Sequence, residues 1–222
     1  MIDGGPGPVL ARSFFARPAA AVAPDLLGLL LVAGDVVVRL TEVEAYEPDD
    51  PASHSFIGRR PRNRVMFGPP GHLYVYRSYG IHWCANVVCA DEGVGAAVLL
   101  RAAEVCRGEA VALGRRATAV GAPHLLCAGP GRLCAALAIT GAHDGADLCD
   151  DRSPLRMAVP HHVAGGEVTA AASCADGGRP PWAPDPGRVC RTTRIGITKA
   201  AEAPLRWLEL GNRTVSRPPA RR

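Results

Sequence analysis

Lysine is nearly missing from this chain: of 25 basic residues only Lys199 is not an arginine. Chemistry that runs through an amine nucleophile therefore has a single candidate side chain. Aromatic residues are scarce too, at 5%, yet all four tyrosines fall between Thr41 and Asn86, at Tyr46, Tyr74, Tyr76 and Tyr79. The longest apolar run, around Leu26 to Ala33, is broken by Gly28 and is too short to span a bilayer, so no membrane role is expected. Met1 to Pro8 has neither the basic start nor the apolar stretch of a secretory leader, which points to a cytoplasmic, bacterial-type protein. Eight cysteines contain no Cys-x2-Cys pair, and His161 and His162 lack ligands at the short spacing that zinc requires. Reduced, mostly buried thiols are expected, with no metal and no organic cofactor.

The 222 residues suit one domain, and 48% hydrophobic content excludes global disorder. The excess of Ala, Gly and Pro reads as the bias of a GC-rich genome. A net charge of +4 is too modest to name a partner. Residues 1–12 read as a flexible N-terminus, 13–216 as the domain with a flexible insertion at about 163–186, and 217–222 as a basic tail. Pro24 to Leu30 reads as a short helix with Pro24 in its first turn. Val36 to Tyr46 reads as a strand ended by Pro48-Asp49-Asp50-Pro51, and Arg59 to Pro70 as a basic, proline-punctuated loop. Leu73 to Tyr76, Cys84 to Cys89 and Ala96 to Ala102 are β-rich, with connectors too short for helical crossovers, which favours antiparallel pairing. Helices are expected over Ala102 to Arg116 and from Pro130 to Leu137. The fold class predicted is α+β: a curved antiparallel sheet, open or partly closed into a barrel, with helices on one side.

The tyrosine-bearing stretch also holds Glu42, Glu44 and His54, and a basic run from Arg59 to Arg64. Such a mixture can stack a flat ligand, remove a proton and face a polyanion. On an extended chain Tyr46 projects to the same side as Glu44, about 7 Å away, and Glu42 shares that parity. Taken alone, either glutamate fits a solvated strand position, and a Tyr-x-Tyr strand fits a core. Arg101, in the apolar run Val98-Leu99-Leu100, would be costly to bury without an anion beside it.

Thr41-Glu42-Val43-Glu44-Ala45-Tyr46, Ala52-Ser53-His54-Ser55, Pro61-Arg62-Asn63-Arg64-Val65-Met66-Phe67 and Gly71-His72-Leu73-Tyr74-Val75-Tyr76-Arg77-Ser78-Tyr79-Gly80 resemble, in order, the alkyladenine (3-methyladenine) DNA glycosylase family. Cys84-Ala85-Asn86, Val98 to Ala102, Gly129 to Cys134 and Arg194-Ile195-Gly196-Ile197 continue the series, which runs from about Phe14 to Val215. The resemblance implies a monofunctional base-excision enzyme that rotates damaged purines out of double-stranded DNA and hydrolyses the N-glycosidic bond, acting as a monomer at the nucleoid. It assigns Glu44 as general base, Arg101 as its cationic partner and the Ile195 main chain as a contact of the attacking water. Tyr46, His54, Tyr76, Asn86 and Met66 would form the base pocket, and Tyr79 the wedge that fills the vacated stack. Arg59, Arg60, Arg62 and Arg64 would hold phosphates, or pin their own loop; Asn86 would exclude the guanine 2-amino group, or bond neighbouring backbone. Tyr74 is assigned to packing. His82-Trp83, Arg77-Ser78 and the short spacer between Glu44 and His54 depart from the pattern. A non-catalytic module stacking bases on tyrosines and a nucleoside hydrolase remain as alternatives, the latter with no use for a wedge.

Overall fold

Alternating apolar residues from Val36 favour an extended chain, and Val36–Tyr46 forms β3, the strand about which the sheet is organised, with the predicted bounds. The computed structural model describes residues 5–161 and 180–216. The basic tail and residues 163–179 of the expected insertion lie outside the described residues.

One edge of β3 pairs along most of its length with β6 (Ala96–Arg107). The other edge is shared: β2 (Leu30–Ala33) takes Val36 to Arg39, and β9 (Arg206–Glu209) takes Glu42 to Glu44. Beyond β6 lie β5 (His82–Cys89) and then β4 (Leu73–Ser78). Beyond β2 lie β7 (Leu155–Pro160) and then β1 (Pro6–Val9), while β8 (Val189–Thr192) flanks β9. Every pairing is antiparallel, and among the described residues none joins β1 to β4, so the sheet stays open. The α+β prediction stands.

Helices α1 (Arg12–Phe15), α2 (Ala19–Leu26), α3 (Glu109–Arg115) and α4 (Pro130–Ala136) cover one face. Phe15, Val22, Leu26, Ala112 and Leu133 share a core there with Val38, Val43, Val98 and Leu100 of the sheet. The opposite face carries two small apolar clusters, one of Leu30, Val32, Val37 and Ala158 and one of Met66, Tyr74, Val88 and Ala97. Met66 and Tyr74 of the second cluster also line the cavity described below.

Three sequence expectations need revision. The helix expected over Ala102 to Arg116 is mostly strand, because Val38, Arg39 and Leu40 offer ladder partners to Val105, Glu104 and Ala103, and Arg39 pairs with Glu104 at 2.6 Å. Only Glu109–Arg115 remains helical. Pro24 sits inside the last turn of α2, not its first, because the helix begins five residues earlier at Ala19. Pro6–Val9, in the stretch expected to be loose, pairs with β7 through Pro6–Pro160 and Val9–Ala158. At the far end of the expected insertion, Trp182 is buried, its Nε1 donating to the Asp25 carbonyl at 2.8 Å and its ring 6.1 Å from Phe14.

Gly28 makes that docking possible: its φ is 90°, and a Cβ there would lie 2.2 Å from the Trp182 carbonyl oxygen. Gly28→Ala should therefore cost about 1–3 kcal/mol, the scale of left-handed strain before any displacement of Trp182. An unchanged urea midpoint would contradict this account.

Candidate active site

Two irregularities in the β3–β6 ladder build the site. Leu40 pairs with Ala103, Glu42 with Ala102 and Val43 with Leu100, so Thr41 on one strand and Arg101 on the other are extra residues. The bulge in β3 reverses its parity: Val36, Val38 and Leu40 face the helices, and then Val43 and Ala45 do. Glu42, Glu44 and Tyr46 are thereby turned to the opposite face, and the bulge in β6 aims Arg101 at them, a known use of such features.

Glu42 is fully buried and saturated. Its Oε1 accepts from Arg101 Nε at 2.8 Å, Arg206 Nε at 2.7 Å and Ser216 Oγ at 3.1 Å; its Oε2 accepts from the Ser216 N–H at 2.7 Å and Oγ at 2.8 Å. Thr41 and Thr214 join their hydroxyls at 2.8 Å, fixing the segment that brings Ser216 in. Glu42 is thus an anchor that orients Arg101.

Glu44 is equally buried, with a different set of partners. Oε1 accepts from the Ile195 N–H at 2.8 Å, while Oε2 accepts from the Tyr46 hydroxyl at 3.0 Å and lies 3.2 Å from Arg101 Nη1. The Ile195 main chain therefore meets the carboxylate through its amide. Burial pushes the Glu44 carboxyl above the usual range, outweighing Arg101, the Ile195 N–H and the Tyr46 hydroxyl, which hold it down. Sequence reasoning counted only the last kind of influence.

In front of Glu44 opens a cavity of about 790 Å³ lined by Tyr46, His54, Met66, Tyr74, Tyr76, Asn86, Arg101 and Ile195, among others. Glu44 itself stands behind Tyr46, Arg101 and Ile195. His54, Tyr74 and Tyr76 form a ring cluster, with centroids 4.5 Å apart for His54–Tyr76 and 5.7 Å for Tyr74–Tyr76. Among the described residues no ring contact joins Tyr46 to that cluster, although all four line one cavity.

Tyr74 does more than pack: its hydroxyl meets His54 Nδ1 at 2.9 Å. Burial pushes the Tyr74 hydroxyl up to about 12, so it keeps its proton, while burial and then the Arg62 charge push His54 down toward the neutral ring. Asn86 Nδ2 donates to the Tyr74 carbonyl at 3.2 Å, the bond to neighbouring backbone that was one of its two readings, and the residue also lines the cavity.

The loop carrying His54 is fixed by Asn63, a fully buried residue that sequence reasoning passed over. Its Nδ2 donates to the carbonyls of His54 (2.8 Å) and Gly58 (3.1 Å), and its Oδ1 accepts from the Arg60 N–H at 2.6 Å. Arg59, Arg60, Arg62 and Arg64 are exposed and make no ion pair among the described residues. Arg194, another omission, pairs with Asp50, donates to the Ala45 carbonyl at 3.1 Å and lies 4.6 Å over the Tyr46 ring. It holds Tyr46 from behind and Ile195 in place beside it.

Tyr79 is 88% exposed at the tip of the β4–β5 hairpin. Its φ of 50° and that of 69° at Gly80, closed by Ile81 N–H donating to the Ser78 carbonyl at 3.0 Å, make a turn whose twist suits a hairpin. A tyrosine in the left-handed region costs roughly 1 kcal/mol, which the fold itself does not require.

A family model described as methylpurine-DNA glycosylase matches residues 13–213. The chain belongs to that family. It is 47% identical over 219 residues to a Rhodopseudomonas palustris (strain BisB18) protein named "Putative 3-methyladenine DNA glycosylase", covering 96% of this chain and 92% of the relative. A Frankia casuarinae protein of the same name is 48% identical over 213 residues, covering 94% and 93%. One from Agrobacterium fabrum is 46% identical over 210 residues, covering 95% and 93%. No helix among the described residues of this methylpurine-DNA glycosylase family member is long and apolar enough to cross a membrane.

The anchor role of Glu42 has a measurable consequence. Glu42→Ala would leave Arg101 and Arg206 buried beside a lost anion and should cost about 3–5 kcal/mol. Ser216→Ala, which removes one hydroxyl from a carboxylate still held by two arginines, should cost about 1 kcal/mol. Equal losses in urea denaturation would show that the network is not arranged around Glu42.

Proposed function

We propose that the protein is a monomeric, monofunctional DNA glycosylase that turns alkylated or deaminated purines out of duplex DNA and hydrolyses the bond from the base to C1′, leaving an abasic site. One observation carries the reading: a buried carboxylate, Glu44, stands against the wall of a slot formed by Tyr46 on one hand and His54 and Tyr76 on the other. Opening a base pair costs a few kcal/mol, and stacking contributes roughly 1–3 kcal/mol per base, so wedge and slot together offset the expense.

In this mechanism Tyr79 fills the gap in the stack, and the purine lies between Tyr46 and the His54–Tyr76 pair, with Met66 at its edge. Asn86 disfavours a 2-amino group, which would meet its amide. Glu44 takes a proton from water as the water oxygen bonds to C1′ and the C1′–N9 bond breaks through an oxocarbenium-like sugar. A purine alkylated at N3 or N7 already carries positive charge, stacks on electron-rich rings and departs neutral. Hypoxanthine departs only with an added proton. Arg101 holds Glu44 in line and tempers its basicity, and Arg59, Arg60, Arg62 and Arg64 take phosphates. Lys199, the one lysine, is exposed, and the groups bonded to Glu44 are Ile195, Tyr46 and Arg101, which supports hydrolysis in place of Schiff-base strand cleavage.

Duplex oligonucleotides carrying 3-methyladenine, ethenoadenine or hypoxanthine should give alkali-labile sites that disappear in Glu44→Gln while binding persists. Breaks unaffected by that substitution would remove Glu44 from the mechanism, and a borohydride-trapped protein–DNA adduct would contradict monofunctional hydrolysis. Since the ionised carboxylate is the active form and its pKa is raised, single-turnover rates should fall with acid at a pH above the ordinary glutamate value of about 4.3. Arg101→Met removes a cation that lowers this pKa, so the acid limb should move higher still. A limb that stayed put would exclude Glu44 as the titrating group.

A further inference from the structure

Phe56 and Ile57 form the tip of the loop after β3, 47% and 56% exposed. The tip is held rigidly: the Phe56 N–H donates to the Ser53 carbonyl at 3.3 Å and the Gly58 N–H to that of Ser55 at 2.7 Å, and Asn63 clamps both ends of the turn through His54 and Gly58. About half of each of these two large apolar residues stays in water, and adjacent exposed apolar groups of this kind mark interaction surfaces. Ala52, His54 and Arg62 of the same loop line the base slot, as do Arg77, Ser78 and Tyr79 of the hairpin. The rim of the slot therefore carries two exposed apolar tips, Phe56–Ile57 on one element and Tyr79–Ile81 on the other.

The charge around the first tip identifies its partner. Arg59, Arg60, Arg62 and Arg64 are exposed and lack ion pairs among the described residues. An apolar protein surface seated on Phe56 and Ile57 would leave these guanidinium groups without counter-charge, whereas a duplex offers phosphates beside the apolar sugars and base edges of its minor groove. We propose that Phe56 and Ile57 make a second apolar contact with duplex DNA, packing into the minor groove beside the everted nucleotide while the neighbouring arginines hold the flanking phosphates. This rests on the reading of the slot as a site for a purine turned out of DNA.

The test is binding to an undamaged duplex, which needs no excision. The paired substitution Phe56→Ser and Ile57→Ser should weaken the dissociation constant by about tenfold, the scale of withdrawing two apolar side chains from a contact. The slope of log K against log[salt] should not change, because no charge is removed; Arg59→Ala with Arg60→Ala should lower that slope. Val120→Ser, at an exposed valine elsewhere, should leave affinity as it was. In a chain carrying Phe56→Trp, the added tryptophan fluorescence should lose its accessibility to iodide when duplex is present. Affinity within twofold of the parent for the serine pair, or iodide quenching of the F56W chain unchanged by DNA, would overturn the contact. A parent chain that binds duplex yet excises no damaged base would overturn the proposed reaction and leave this contact to be judged by affinity alone.

Discussion

Glu42 and Glu44 share one face of β3, two residues apart and fully buried. Removing two carboxylates from water costs several kcal/mol each, and their mutual repulsion adds to that, so the sheet has to bring cations to them. Arg101 answers both: Nε reaches Glu42 at 2.8 Å while Nη1 lies 3.2 Å from Glu44. A lysine ammonium is a point charge and cannot hold two carboxylates in a fixed plane, whereas the guanidinium fork does. The bulges at Thr41 and Arg101 let the same two strands turn Val38 and Leu40 toward the helices while the glutamates and Arg101 face away from them. Arg206 and Ser216, from the last strand and the segment after it, complete the arrangement and bind the end of the chain to its first long strand.

The slot depends on this frame in a second way. Tyr46 is fixed at both ends, its hydroxyl on Glu44 and its ring under the Arg194 guanidinium, which Asp50 in turn holds. His54 is fixed through Tyr74 and through Asn63. Tyr46 and His54 are therefore both held by contacts within the protein itself. Tyr79, by contrast, stands exposed at its hairpin tip with a φ of 50°.

Much of this was legible in the chain. The bounds of β3 and the antiparallel order of β4, β5 and β6 follow from period-two patterning and short connectors, and α4 follows from Pro130. The extension of β6 to Arg107 was not, because Ala102, Ala103, Glu104 and Val105 have mixed propensities that β3 overrides with ladder bonds and the Arg39–Glu104 pair. The residues brought together in the slot are those the ordered motifs name. Those missed act across long separations: Ser216 lies 174 residues from Glu42, and Arg194 lies 144 from Asp50. Nothing local marks such partners. Asn63 and Tyr74 had a weaker signal, a polar group inside a motif whose backbone or ring had to be held by something.

Spare hydrogen-bonding capacity distinguishes the two glutamates. An ionised carboxylate has about four lone-pair sites. Around Glu42, both oxygens are occupied by Arg101, Arg206 and the Ser216 amide and hydroxyl, all of them donors with no basic function to surrender. Glu44 has three donors, one of them a tyrosine hydroxyl on the cavity wall that rotates about a single bond, so one site is open in principle and a second can be vacated without moving the backbone. Burial also favours its protonated form. Two residues of one strand, identical in type and in parity, are thus set apart by the number and kind of donors the fold directs at each.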